Sequence, residues 1–152
     1  MNFGGMGYQN GNQAQTLILL TGATGYLGQN IAQLLVERNY RLRVIVRAKN
    51  KEEAYHRLSP SIRDKVDIVV GDLTVPKDVA NFVRGVVGKV IHCAANISLG
   101  LSLNELYETN VRALHVLASY PNVMVYHIST LAIFLSSNTP RKIIEENNML
   151  HT

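Results

Sequence analysis

Thr21-Gly22-Ala23-Thr24-Gly25-Tyr26-Leu27-Gly28 is the stretch whose reading decides the fold. It follows Thr16-Leu-Ile-Leu-Leu20, a short run of strand-forming residues. It opens a segment in which Leu27, Ile31, Leu34 and Leu35 recur at i, i+4, i+7 and i+8, the spacing of one helix face. Three glycines at G-x-x-G-x-x-G spacing between a strand and a helix each have a separate steric task. Gly22 turns the chain off the strand, Gly25 leaves room for a diphosphate to approach the backbone, and Gly28 lets the helix pack closely on the sheet. The amides and positive end of the helix then face the anion, so no side-chain cation is required. A merely tight turn would not call for all three glycines. A phosphate loop of the triphosphate-hydrolysing type needs Lys and then Ser or Thr after its last glycine, where this chain has Gln29 and Asn30.

Working outward, Arg41–Val46, Val66–Val70, Lys89–His92 and Val123–Ile128 read as further strands. Lys51–Leu58, Lys77–Arg84 and Leu103–Ser119 read as helices between them. The β-α alternation predicts an α/β fold: a Rossmann-type, doubly wound parallel sheet in three α/β/α layers with right-handed crossovers. A chain of 152 residues suits one such domain. Residues 16–152 are expected to form it as an NAD(P)-binding unit. Residues 1–15, with four Gly, three Gln, three Asn and no charge, are expected to be a flexible arm.

No apolar run reaches the roughly 18 residues a membrane span needs, and no secretory signal opens the chain, so a cytoplasmic location is expected. The formal charge of +4 could suit nucleic acid, but the basic residues are spread along the chain without a block and a small polyanion suits the balance equally well, so no nucleic-acid partner is expected. The single cysteine, Cys93, cannot form an internal disulfide. The five histidines share no metal-ligand spacing with Cys93 or with one another, and no metal is expected.

In such folds an acidic residue near the end of the second strand commonly binds the ribose 2′-hydroxyl. Arg47 stands there, with Lys49 close behind, a choice that favours the 2′-phosphate of NADP over NAD. A solvated basic strand end is the alternative. After the third strand, Asp72 can accept from the adenine amino group or cap the following helix. Leu103, Leu106, Asn110, Leu114 and Leu117 fall on one helix face, so Asn110 is a polar residue in an apolar stripe and needs hydrogen-bond partners.

The glycine loop, Val46-Arg-Ala48, Gly71-Asp-Leu73, Val90-Ile-His-Cys-Ala-Ala-Asn96, Asn110-Val111 and His127-Ile-Ser-Thr130 together resemble the extended short-chain dehydrogenases/reductases. The thioester reductase and fatty acyl-CoA reductase branch is the most similar, over about residues 16–146. The resemblance implies NADPH-dependent reduction of an acyl thioester, held on a carrier protein or coenzyme A, to aldehyde or alcohol. It assigns cofactor contacts to Gly22, Thr24, Gly25, Tyr26, Leu27 and Gly28, to Asp72 and Leu73, and to Cys93, Ala94 and Ala95. Asn110 takes a bracing role beside the cofactor. The family's catalytic Ser/Thr falls on Thr130 with Ser129 beside it, where a hydroxyl donates to the carbonyl oxygen as charge develops.

The family's general acid, a Tyr with Lys four residues later, has no counterpart among the seven tyrosines. Arg141–Met149 resembles the acidic stretch that precedes that acid in the family, so the domain is expected to be incomplete at its C-terminus. Loss of the proton donor lowers rates by about 10² to 10⁴. Two other readings remain open at this stage: a non-catalytic NAD(P)-binding or interaction module, and a nucleotide-sugar epimerase or dehydratase. The substrate and the oligomeric state are not legible in the sequence.

Overall fold

A computed structural model describes residues 17–98 and 100–129. The expected arm at 1–15, Thr16, the catalytic candidate Thr130 and the acidic stretch 141–149 lie outside the described residues. Five strands, β1 (Leu17–Thr21), β2 (Arg41–Val46), β3 (Asp67–Val70), β4 (Gly88–His92) and β5 (Val123–His127), form one parallel sheet in the order β3-β2-β1-β4-β5. This is the expected doubly wound topology. Its chain reverses direction across the sheet between β1 and β4, and in open α/β sheets a ligand crevice forms at that point.

Helices pack on both faces of the centre of the sheet, which is why β1 is apolar and buried along nearly its whole length. On one face Ile18, Leu20, Val44 and Val46 pack with Ala32 of α1 (Tyr26–Glu37) and Ala54 of α2 (Lys51–Arg57). On the other, Leu19, Ile45 and Val90 pack with Val79 and Phe82 of α3 (Pro76–Val83) and with Leu117. Local signals set the helix starts. The Asn50 side chain accepts from the Glu53 amide at 2.9 Å, and Pro76 occupies the first turn of α3, where its missing N–H costs nothing.

Two expectations are corrected. The buried face of α1 is not the one that Leu27 and Leu34 define, since each is 46% exposed. Gly28 and Ala32 are buried and Ile31, Leu35 and Val36 flank them. The reason is steric: a Cβ on Gly28 would lie 2.1 Å from the Gly22 carbonyl oxygen, so the helix approaches the sheet through its smallest residues. The last predicted helix is also not one regular α-helix. Between α4 (Leu103–Tyr107) and α5 (Ala113–Ala118) runs a π turn, Glu108–Arg112. Its wider winding rotates the following face, so Ala113 and Leu117 are buried while Leu103 is 84% exposed.

Candidate functional site

All segments expected to hold a nucleotide emerge at the C-terminal edge of the sheet. There a cleft of about 330 Å³ is lined by Gly22, Thr24, Gly25, Arg47, Asp72, Leu73, Cys93, Ala94 and Ala95. These nine predicted residues come from the ends of four strands. Parallel pairing brings them together, because all four strands then end on the same edge of the sheet.

The glycine loop is built as its spacing implies, but its three glycines answer to different constraints. Gly22 has φ +75°, and a Cβ there would sit 2.7 Å from the Ala94 nitrogen and the Cys93 carbonyl carbon, across the β1–β4 gap. Gly28 is required by the Gly22 carbonyl. Gly25 is required by neither: its backbone is extended, with φ −87° and ψ 165°, and its nearest neighbour to a Cβ is the Gly22 oxygen at 3.4 Å. The protein itself would tolerate a side chain there, so the bare backbone facing the cleft fits a ligand that must come close. Gly25 caps α1 without any side-chain hydrogen bond, and the first turn of this 12-residue helix carries no acidic residue. Its amides and dipole are thus available to an anion. Gly28 is buried behind the loop, whereas Tyr26, 84% exposed, and Leu27 point away from the cleft lining.

Arg47 lies at the cleft's outer end, 72% exposed, with its Nη1 3.8 Å from the Asp72 carboxylate. At that distance and exposure the pair contributes little, and the guanidinium can be drawn to a stronger anion. The second cation on the cleft is not Lys49 but Arg57, at the end of α2. Its Nη1 donates to the Arg47 carbonyl and lies 3.9 Å from Glu53. Arg57 was missed because its sequence context is that of an ordinary solvated helix position. The missing signal was its i+10 relation to the strand-end arginine, which one short turn and two helical turns bring back to the strand end.

Asp72 does not cap α3, whose N-cap is Val75. Its Oδ1 instead accepts from the Thr74 amide at 2.9 Å and the Thr74 hydroxyl at 2.8 Å, a local turn that points the remaining oxygen toward Arg47. Asp78 accepts from the Asp72 amide at 2.9 Å and fixes the start of this loop.

The wall after β4 is pinned by Asn110, whose Oδ1 accepts from the Asn96 amide at 2.7 Å and whose Nδ2 donates to the Asn96 carbonyl at 2.9 Å. The π turn carries Asn110, and this two-way bond supplies the partners that its place in an apolar stripe demanded. Asn96 and Thr109 also line the cleft, neither singled out from sequence. Cys93 is half-buried, and burial pushes its thiol pKa up, so it packs as a neutral side chain instead of acting as a nucleophile. Ser129 is exposed two residues beyond β5, on the same edge of the sheet. Among the described residues no cluster of three or more His, Cys, Asp or Glu could hold a metal, and no helix is long and apolar enough to cross a membrane.

Comparison with known proteins agrees with this geometry. Residues 20–150 match the NAD-binding family described as "Male sterility protein". The chain is 36% identical over 106 residues to the NRPS-like oxidoreductase fscA of Fusarium equiseti, covering 62% of this chain and 10% of that protein. It is 24% identical over 173 residues to fatty acyl-CoA reductase 2 of Mus musculus, covering 88% of this chain and 33% of that one. The fold is shared with the thiolation-reductase di-domain of an archaeal non-ribosomal peptide synthetase, with TM-score 0.67 and 21% identity over 81% of this chain and 30% of that one. The chain thus spans a third or less of the length of each of these relatives.

Proposed function

The chain belongs to the male sterility protein family, and from that premise we propose that it is the NADP-binding part of a reductase acting on an acyl thioester carried by a phosphopantetheine arm or coenzyme A. The resemblance to thioester and fatty acyl-CoA reductases read from the sequence is borne out by the relatives. The observation that carries the proposal is Gly25: its missing side chain is not needed by any protein neighbour and opens on the cleft.

The diphosphate binds at the amides of Thr24, Gly25 and the first turn of α1, and Asp72 with Leu73 borders the adenine. Cys93, Ala94 and Ala95 form the wall beside the ribose and diphosphate. When bound, the dinucleotide supplies a hydride. The hydroxyl that donates to the thioester carbonyl oxygen is assigned by the family resemblance to the Ser129-Thr130 pair, of which Ser129 lies just beyond β5 on the same edge of the sheet as the cleft. Thr130 is proposed as the donor and Ser129 as its neighbour.

Cofactor choice rests on Arg47 and Arg57, the two arginines that line the cleft, each with only a long ion pair, to Asp72 at 3.8 Å and to Glu53 at 3.9 Å. A 2′-phosphate placed there replaces a weak ion pair by charge-assisted bonds. Removing one such bond costs about 1.5–3 kcal/mol, so Arg47→Ala and Arg57→Ala should each weaken NADPH binding by about ten- to a hundredfold. NADH binding should be left nearly unchanged. Titration calorimetry with both nucleotides checks this, and equal losses for the two would remove the NADP assignment.

A second expectation concerns the wall. Asn110→Leu keeps the volume roughly constant but leaves the Asn96 amide and carbonyl without their partners. It should destabilise the fold by about 2 kcal/mol and weaken NADPH and NADH equally, since Asn110 does not reach the 2′ position. Denaturant titration and calorimetry on the same preparation separate the two effects.

A further inference from the structure

Thr21, His92 and His127 occupy one rung of the sheet, at the C-terminal ends of β1, β4 and β5. Thr21 and His92 are both fully buried, and the two imidazole rings lie 5.3 Å apart at 31°. Thr21 Oγ1 and His92 Nδ1 are 2.8 Å apart, and the same hydroxyl oxygen accepts from the Ala94 amide at 3.2 Å. Ala94 belongs to the cleft wall, and its nitrogen lies 2.7 Å from where a Cβ on Gly22 would be. One buried hydroxyl therefore joins the turn of the glycine loop to the wall opposite.

The direction of the Thr21–His92 bond follows from counting partners. If His92 Nδ1 carried the proton, the Thr21 hydroxyl would accept twice and its own proton would have no acceptor among the described residues. His92 Nε2, buried and without a partner among the described residues, would then be a second unpaired group. If the hydroxyl donates to Nδ1, only the Nε2–H is left unpaired among the described residues. The second arrangement wins, and it leaves a Thr21 lone pair for the Ala94 amide. An apolar residue at position 92 would fill this interior equally well but could not accept from the Thr21 hydroxyl, which Nδ1 does.

We infer that His92 is a positioning residue for the nucleotide cleft: its Nδ1 accepts the hydrogen bond that the Thr21 hydroxyl donates, so that Thr21 accepts from Ala94 and locks the Cys93–Asn96 wall against Gly22. The wall is then tied at both ends, at Ala94 by Thr21 and at Asn96 by Asn110. His92 touches neither nucleotide nor substrate. The inference rests on the proposed nucleotide binding for its effect on affinity, but the bond network itself exists without ligand.

The test uses the whole chain with His92→Leu, His92→Asn, Thr21→Val and the double variant T21V/H92L. Three quantities are measured: NADPH affinity by calorimetry, Ala94 amide exchange in nucleotide-free protein, and imidazole ¹⁵N shifts, which report the tautomer. The wild type should show the Nε2–H tautomer. H92L and T21V should each accelerate Ala94 exchange and raise the NADPH Kd by about tenfold, the loss of one net hydrogen bond. The double variant should be no worse than either single one, because both break the same link. H92N, whose amide oxygen can stand where Nδ1 does, should restore both readouts. T21V is nearly isosteric and supplies the same readouts if H92L fails to fold. Wild-type exchange at Ala94 in either single variant, or losses that add in the double, overturns the inference. If the wild type binds no NADPH, the proposed function falls, while Ala94 exchange in ligand-free protein still decides whether His92 acts through Thr21.

Discussion

Gly28→Ala and Gly25→Ala, three residues apart in one loop, will fail in opposite ways. At Gly28 the new methyl carbon would lie 2.1 Å from the Gly22 carbonyl oxygen and 2.6 Å from its carbon, both backbone atoms. No side chain can rotate away to relieve that contact, so either α1 lifts off the sheet or the glycine turn deforms. The expected cost is about 3 kcal/mol or more, at the upper end for overpacking. It should be seen as a lower urea midpoint at unchanged slope. Gly25→Ala meets only an ordinary contact at 3.4 Å in a backbone conformation open to any residue. It gives up a modest helix-capping preference, so its stability should fall by no more than about 1 kcal/mol. Its methyl group, however, stands in the path of the diphosphate, and NADPH affinity should fall by about a hundredfold, near 2.7 kcal/mol. Full NADPH affinity in a folded Gly25→Ala protein would mean that the middle glycine is not kept bare for a ligand, and the nucleotide assignment would lose its main support.

The contrast between these glycines shows where a sequence stops being informative. Their spacing is visible as a pattern, and with a strand before and a helix after, the pattern implies a crossover and a phosphate-facing helix end. Which glycine serves the protein and which serves the ligand depends on distances to Gly22, Cys93 and Ala94, and those exist only after β1 and β4 pair across 71 residues. The same holds for α1. Leu27 and Leu34 satisfy a helical period, yet the close approach forced through Gly28 turns Ala32 inward instead. Binary pattern registers hydrophobicity, but closeness of packing rewards the smallest residue on the face.

Side-chain roles divide along the same line. Arg47 was legible because it replaces an acid at a strand end whose place is fixed by topology. Arg57 was not, because nothing in a run of charged helix residues says which one returns to the cleft. Asn110 could be recognised as a polar residue needing partners, but the partners, both backbone groups of Asn96, lie on the neighbouring loop. The π turn around it has no strong sequence signature: Glu108–Arg112 contains neither proline nor glycine. His92 carried no signal in the sequence beyond its lack of metal-ligand spacing, and the structure buries it fully. Its bond to Thr21 is a matter of register, since the two residues face each other across adjacent parallel strands.

That buried histidine also predicts how stability depends on pH. Burial, aided by the neighbouring His127, pulls the His92 pKa down from 6.5 to about 4. In the window between those values the unfolded chain takes up a proton that the folded chain refuses, so acid favours unfolding there. The contribution is fully present above about pH 6.5 and is lost progressively as the pH falls toward 4, amounting to about 3 kcal/mol across the window. Carboxylates elsewhere titrate in part of the same range, so the informative quantity is a difference: urea unfolding at pH 7 and pH 4 for the wild type and for His92→Asn. The wild type should lose about 3 kcal/mol more than the variant between the two conditions. Equal losses would mean that His92 is not held neutral by its surroundings. With the imidazole neutral throughout the neutral range, its Nδ1 lone pair is always available to the Thr21 hydroxyl. Acid would therefore loosen the Ala94 wall only at a pH where the fold itself is already weakening, and NADPH affinity should show no His92-dependent step near neutrality.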